Sequence, residues 1–296
     1  MPKTLLVTGA SGQLGRSVIR HLLDAANVPA NRIIATTRTP ANLADLAARG
    51  VTVRAADFDD QASLAKAFAG ADRALIISTD QVEVRGKRRE QQLAAVTAAK
   101  QAGVGHLLYT SMPNPEPGSP VVFAPDHYDT EQAIKASGIP YTIFRNGWYD
   151  ENLFMALPQI LASGQWYTSA GDGAISYGTR DDYAAAIAAG LASDTGESTT
   201  YTLTGPKAYT AAEVAAFVTE VTAKPIQVIQ LSDEALTEGM KSAGLPESLA
   251  KVLVSFDAAA RVGDLAMVTD AVEKLSGRQP VPLKQFLETN KAALAG

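Results

Sequence analysis

The sequence predicts an α/β fold, a Rossmann-type doubly wound parallel sheet followed by a smaller, mostly helical C-terminal domain. Three observations carry that prediction. Short β-branched runs alternate with longer helical patterns across the first 150 residues, a glycine-rich turn joins the first run to the first helix, and the alternation weakens beyond Trp148. A chain of 296 residues has room for one large domain, or a large and a small one. The expected division is 1–150 for dinucleotide binding and 151–296 for substrate, with a strand near 200–204 rejoining the sheet.

The first candidate strand, Thr4 to Thr8, ends at the glycine turn, and behind it Leu14, Val18, Ile19, Leu22 and Leu23 recur at helical spacing up to a loop containing Pro29. That is a helix packed on a sheet. Further strands are expected at Arg32 to Thr37, Thr52 to Ala55, Arg73 to Ser78, His106 to Thr110 and Tyr141 to Arg145. The segment Arg85 to Ala102 is basic at its start and alanine-rich after, with Gly103 placed to stop it, and its charges Arg85, Lys87, Arg88 and Arg89 read as a solvated face. From Met112 to Pro125 the run Pro113, Pro115, Pro117, Pro120 and Pro125 forbids helix and central strand. This loop follows the fifth strand and belongs at the carboxyl edge of the sheet, where a lid over a ligand and a plain surface loop both suit it. Further on, Thr200 to Thr204 reads as one more strand, and Ala211 to Thr222 and Asp233 to Ala243 as helices with Thr210 and Ser232 as N-caps.

With 46% hydrophobic and 19% charged residues, the composition is that of an ordinary globular protein. A net charge of −5 without a basic stripe argues against nucleic acid or an anionic membrane as partner. Cysteine is absent, which excludes disulfides, thiolate catalysis, iron–sulfur ligation and cysteine zinc sites. His21, His106 and His127 stand too far apart for a local metal motif, so no metal is expected. No apolar run approaches the roughly 20 residues of a membrane span, and Leu5 to Val7 is too short for a signal-peptide core; a cytoplasmic location is the default expectation.

The chemistry is concentrated in Gly9-Ala10-Ser11-Gly12-Gln13-Leu14-Gly15, which opens directly into the amphipathic helix. Gly9 allows the tight turn, Gly12 lets backbone amides approach a pyrophosphate, and Gly15 permits close helix–strand packing. The unpaired amides of the helix N-terminus then face the pyrophosphate. An acid at the end of the second strand would bind the adenine ribose of NAD, but the strand ends Ala35-Thr36-Thr37-Arg38. A guanidinium there offers a bidentate contact to a 2′-phosphate, so the expected cofactor is NADPH, with Thr37 adding a hydroxyl. Asp57 and Phe58 are placed to pair with the adenine amino group and cover the ring, and Ser78 and Thr79 to lie along the nicotinamide half.

These residues resemble the atypical short-chain dehydrogenases of the NmrA-like group, and within it the type 2 quinone oxidoreductases and triphenylmethane reductases. The resemblance rests on Thr8 to Gly15, on Arg38-Thr39-Pro40, on Tyr109-Thr110-Ser111, on His127 with Thr130-Glu131, and on Arg145-Asn146-Gly147-Trp148-Tyr149. It implies NADPH-dependent hydride transfer to a quinone or another small conjugated acceptor, with Thr8, Gln13 and Leu14 of the glycine motif joining the cofactor site. The Tyr-x-x-x-Lys pair of the wider short-chain dehydrogenases, in which the ammonium lowers the tyrosine pKa, is missing: Tyr128 is followed four residues on by Gln132, and Lys135 stands seven on. An electron-poor acceptor suits that absence, because the protein then mostly orients two rings and excludes water.

Strand ends four, five and six must ring the nicotinamide, which brings in Tyr109, Thr110, Ser111, Asn146 and Gly147. Trp148 and Tyr149 are placed to wall the acceptor, Trp148 also reaching the cofactor, with Phe154, Trp166 and Tyr167 on the far side; core packing is the alternative for all of these aromatics. Asn146, His127 and Tyr149 are the catalytic candidates, with His127 set either to donate a proton or to cap a helix beginning near Tyr128. A non-catalytic dinucleotide sensor of the same family, an azo, imine or ketone reductase, and a homodimer stay open.

Overall fold

The structure, a computed structural model, describes residues 3–82, 84 and 86–294. In chain order the elements are β1 (Leu5–Val7), α1 (Gln13–Asp24), β2 (Ile33–Thr37), α2 (Ala44–Ala48), β3 (Thr52–Ala55), α3 (Gln61–Phe68), β4 (Arg73–Ile76), α4 (Lys87–Gln101), β5 (His106–Ser111), α5 (Ala124–Ala136), β6 (Tyr141–Asn146) and β7 (Trp148–Tyr149). They continue with α6 (Leu157–Ser163), β8 (Gln165–Thr168), β9 (Ala174–Gly178), α7 (Arg180–Ala192), β10 (Thr199–Leu203), β11 (Ala208–Thr210), α8 (Ala211–Thr222), β12 (Gln227–Gln230), α9 (Asp233–Ser242), α10 (Glu247–Arg261), α11 (Ala271–Ser276), α12 (Leu283–Thr289) and α13 (Lys291–Leu294). Two compact units result, the first from Met1–Met112, Asp126–Asn146 and Tyr183–Thr202, the second from Pro113–Pro125, Gly147–Asp182 and Leu203–Gly296.

A parallel sheet covered on both faces needs strands that are apolar throughout. The central runs Leu5 to Val7, Ile33 to Ala35, Ala74 to Ile76 and Leu107 to Tyr109 are accordingly all buried. They assemble in the order β10-β6-β5-β4-β1-β2-β3, with β1 parallel to both β2 and β4, and β5 parallel to both β4 and β6. Chain order reverses between β1 and β4. In open α/β sheets that reversal opens a crevice at the strands' carboxyl ends, where ligands bind. On one face Leu6, Ile34, Ile76, Leu107 and Ile143 share a core with Leu64 and Phe68 of α3, Ala95 and Ala99 of α4 and Ile134 of α5. Arg73 on β4 is fully buried, and its guanidinium donates to the carbonyls of Gly190, Leu191 and Thr195 at the end of α7.

The second unit carries two small sheets, β11-β9-β7 and β12-β8, beside its helices. Its core gathers Leu157, Tyr177, Val214, Val218, Leu283 and Leu287. Thr210 caps α8 in a reciprocal capping box with Glu213, and Ser232 caps α9, as the sequence predicts. The small strands escape a reading of the sequence because they run two to five residues and several are polar, such as Gln227 to Gln230.

Three expectations are corrected. Arg88 is not part of a solvated face: it is 6% exposed, turned inward on α4. Lys87 and Arg89 do face outward, paired with Asp59 and Asp129, while Arg85 lies outside the described residues. His127 does not cap a helix near Tyr128, because α5 starts at Ala124 and places His127 within its first turns. Pro125, read as the end of the loop, instead sits at the helix start, where a missing N–H costs nothing.

Candidate functional site: a dinucleotide cleft

Gly9 sits at φ +59, a left-handed turn that carries the chain from β1 into α1. A Cβ on Gly15 would lie 2.4 Å from the Gly9 carbonyl oxygen, so helix and turn approach as closely as two backbones can. Gly12 is the N-cap of α1 and supplies no side-chain cap, leaving the first amides of the helix open to an anion. In front of them lies a cleft of about 240 Å³. The end of β1 contributes Gly9, Ser11 and Gly12; the end of β2 contributes Thr36, Thr37 and Arg38; beyond β3 come Ala56, Asp57 and Phe58; beyond β4 come Ile77 to Gln81; and α4 adds Gln91.

Hydroxyl groups fix the walls. Thr8 Oγ1 accepts from the Ile77 amide at 2.9 Å and Thr110 Oγ1 from the Ser78 amide at 2.9 Å, which holds the chain beyond β4 against its two neighbouring strands. Ser11 and Thr37 hydroxyls bond at 2.9 Å, joining the glycine turn to the end of β2. Of the residues expected to bind cofactor, Gly9, Ser11, Gly12, Arg38, Asp57, Phe58, Ser78 and Thr79 line the cleft. Thr8 and Thr110 stand behind it as supports, Leu14 is buried in α1, and Gln13 is exposed at the helix start. Ile77, Asp80, Gln81 and Gln91 line it without having been expected; only folding brings α4 to the strand ends, and no local motif marks them.

A phosphorylated dinucleotide fits these residues. The uncapped α1 N-terminus suits its pyrophosphate, and exposed Arg38 at the mouth suits a 2′-phosphate. Thr79 Oγ1 and Gln91 Oε1 are buried with no hydrogen-bond partner among the described residues, which leaves polar capacity for a ligand inside the cleft.

At the ends of β5 and β6 a second polar group is fully satisfied. Glu131, 0% exposed, accepts from Ser111 Oγ at 2.7 Å, from Arg145 Nε at 2.9 Å and from Arg145 Nη2 at 2.8 Å, clamping the two strands side by side just before Asn146. Beside it, His127 is 3% exposed and uses both ring nitrogens. Tyr109 donates to Gln92 Oε1 at 2.8 Å, so His127 Nδ1–H must donate to the tyrosine oxygen at 2.8 Å, and Nε2 must accept from Arg88 Nη2 at 2.8 Å. A neutral imidazole is required. Burial, reinforced by the Arg88 charge, lowers the His127 pKa well below its ordinary value, and burial raises that of Tyr109.

In the second unit the Gly147 amide donates to the Leu203 carbonyl at 2.8 Å, and Trp148 and Tyr149 form β7. The Trp148 ring meets Phe256 edge-on at 4.5 Å, and Phe256 meets Phe123 of the proline-rich loop at 5.6 Å. Arg180 covers the Tyr149 ring at 4.9 Å. Phe154 packs on Phe286 at 5.5 Å and Trp166 against the unit's core, while Tyr167 is exposed. Phe123 and Phe256 escape the sequence reading because each is a lone aromatic in a segment without a motif.

The profile of the NmrA-like family matches residues 1–287. The chain belongs to the NmrA-like family. Among its relatives, quinone oxidoreductase 2 of Escherichia coli (strain K12) is 39% identical over 281 residues, which cover 95% of this chain and 96% of the relative. The crystal structure of the NADPH-dependent quinone oxidoreductase of Escherichia coli complexed with NADPH superimposes with a TM-score of 0.91 at 38% identity, over 96% of this chain and 99% of that one. That of Citrobacter sp. triphenylmethane reductase complexed with NADP(H) does so with a TM-score of 0.88 at 36% identity, over 98% and 99% of the two chains. The chain has a Rossmann-like parallel sheet flanked by helices, and no helix among its described residues is long and apolar enough to cross a membrane.

Proposed function

We propose that this NmrA-like chain is an NADPH-dependent oxidoreductase that transfers hydride to a quinone or a quinone-like conjugated acceptor. The observation that carries the reading is the cleft of the first unit, with an uncapped helix N-terminus at one wall and Arg38, in place of an acid, just beyond β2. Relatives that reduce quinones and triphenylmethane dyes, with NADPH or NADP(H) in their structures, support it over nearly the whole chain.

The amides behind Gly9 and Gly12 hold the pyrophosphate, Arg38 the 2′-phosphate, Asp57 and Phe58 the adenine, and Ser78 and Thr79 the chain toward the nicotinamide. When bound, the cofactor supplies the hydride. Asn146 and Ser111, at strand ends locked together by Glu131, orient the reacting end. His127 acts through Tyr109 as a positioning residue, because both its nitrogens are committed inside the fold. Trp148, edge-on to Phe256, and Tyr149 are the aromatic side chains assigned to the acceptor. The acceptor is a small molecule; an acidic chain has no charge pattern for nucleic acid.

NADPH oxidation against a panel of quinones, triphenylmethane dyes, azo dyes, ketones and imines, run beside calorimetric titration with NADPH, tests the reading. Turnover of quinones or dyes is expected. Tight NADPH binding with no turnover of any acceptor would turn the protein into a dinucleotide sensor.

A further inference from the structure

One side chain in the cleft has no place in the glycine motif or the strand-end pattern. Gln91, on the second turn of α4, is 7% exposed and lines the cleft. Its Nε2 donates to both carboxylate oxygens of Asp59, each at 3.2 Å. Lys87 Nζ lies 2.6 Å from the same carboxylate, and these two partners hold the Asp59 pKa below its ordinary value. An ionised carboxylate only accepts hydrogen bonds, so the Gln91 amide cannot be turned over; doing so would set its oxygen against Asp59. The orientation is therefore fixed by chemistry. Oε1 points away from Asp59, buried and without a partner among the described residues, and a buried acceptor is unfavourable until a donor reaches it.

The adenosine half of a 2′-phosphorylated dinucleotide carries two kinds of donor, the 6-amino group of the base and the 3′-hydroxyl of the ribose. The anchor Asp59 follows Asp57 and Phe58 directly beyond β3, whereas the 2′-phosphate and its ribose are read beyond β2 at Thr37 and Arg38. Resting on the reading of this cleft as the NADPH site, we propose that Gln91 Oε1 accepts a hydrogen bond from the adenine 6-amino group, with Asp59 as the positioning residue that aims it. Asp57 stands at the same end and already spends one oxygen, Oδ1, on the Asp59 amide at 3.0 Å. An amino group has two hydrogens, so Asp57 and Gln91 each take one, and together they discriminate an amino from an oxo group at that ring position.

The test needs no acceptor and no turnover. Wild-type protein and Gln91→Met, which keeps length and removes the acceptor, are titrated calorimetrically with NADPH and with its deaminated counterpart, the reduced nicotinamide hypoxanthine dinucleotide phosphate. A neutral hydrogen bond corresponds to roughly a three- to tenfold change in affinity. Wild type is expected to prefer NADPH, and Gln91→Met to lose about three- to tenfold for NADPH while its affinity for the hypoxanthine form holds or rises. The wild-type comparison stands even where the variant folds poorly. Equal losses for both ligands, an unchanged preference in the variant, or no preference in wild type would overturn the assignment while leaving the cleft an NADPH site. Failure of wild type to bind NADPH would overturn the cofactor reading and this inference with it.

Discussion

Arg38 stands one residue past β2, exposed and lining the cleft, with Asp59 near enough to feel its charge; the proposed function sets it against the 2′-phosphate. A hydrogen-bonded contact to a charged group contributes roughly 1.5–3 kcal/mol, and each 1.4 kcal/mol is about a factor of ten. Arg38→Ala should therefore weaken NADPH by about ten- to a hundredfold and leave NADH nearly unchanged. Parallel titrations at roughly 0.05 and 0.5 M salt check it: the parent should lose more NADPH affinity to salt than the variant, because the exposed pair is screened. An equal loss for both cofactors would return Arg38 to the fold. Asp150, by contrast, carries no sequence signal at all. It is 0% exposed with both carboxylate oxygens unpartnered among the described residues, and burial, with Glu151 and Asp182 adding to it, pushes its pKa from 3.8 to about 8. The folded state keeps a proton that the unfolded chain releases near pH 4, so this group's contribution is present at acid pH and is lost progressively as the pH rises to about 8. Asp150→Asn removes the titration. Its urea midpoint should change less between pH 5 and pH 8 than that of the parent, and matching changes would locate the pH dependence in other groups. Arg38 could be read from the chain because it borders a motif; Asp150 and Gln91 could not, because burial and partners are properties of the folded state.

At the scale of elements, β1 and α1 show how one motif divides its labour. A Cβ on Gly12 meets only the Gly9 carbonyl oxygen at 3.3 Å, tight but tolerable, whereas one on Gly15 would press to 2.4 Å from that oxygen and 2.9 Å from Ala10 Cα. Packing thus demands a glycine at Gly15 but not at Gly12, whose glycine the proposed function explains by the pyrophosphate. Gly12→Val should abolish NADPH binding in a protein that still unfolds cooperatively, and Gly15→Ala should lower the melting temperature whether or not NADPH is present. Calorimetric scans with and without ligand separate the two, and a Gly15→Ala protein as stable as its parent would contradict the close approach. The Gly9 turn and the Gly15 packing were legible in the sequence because glycine's lack of a side chain is itself the signal. The central strands were legible for a similar reason: burial on both faces demands unbroken apolar runs such as Leu5-Leu6-Val7. Helix α10 was not, since no capping side chain marks its start, where Pro246 precedes Glu247.

Over the whole molecule the chain does not switch once from one unit to the other; residues 183–202 return to the first unit after the second has begun. The return is held by interactions that a division near residue 150 would cut. The buried Arg73 guanidinium finds its acceptors at Gly190, Leu191 and Thr195, and stripping a buried charge of its partners costs about 3–5 kcal/mol. Gly190 packs so tightly on Phe144 that a Cβ there would come within 2.6 Å of the ring, and Tyr201 stacks on that ring at 6.2 Å between centroids. Without β10, strand β6 becomes an open edge with unpaired backbone groups. Against a typical net stability of about 5–15 kcal/mol for a domain, these losses together are decisive. A fragment of residues 1–150 should accordingly aggregate or lack a cooperative unfolding transition, although it contains every residue that lines the cleft. The same fragment joined through a short glycine–serine linker to residues 183–203 should regain cooperative unfolding by circular dichroism and measurable NADPH binding. If residues 1–150 alone fold and bind NADPH as tightly as the full chain, then the Arg73 contacts and the β10 edge are dispensable, and the first unit ends where the regular alternation of the sequence does.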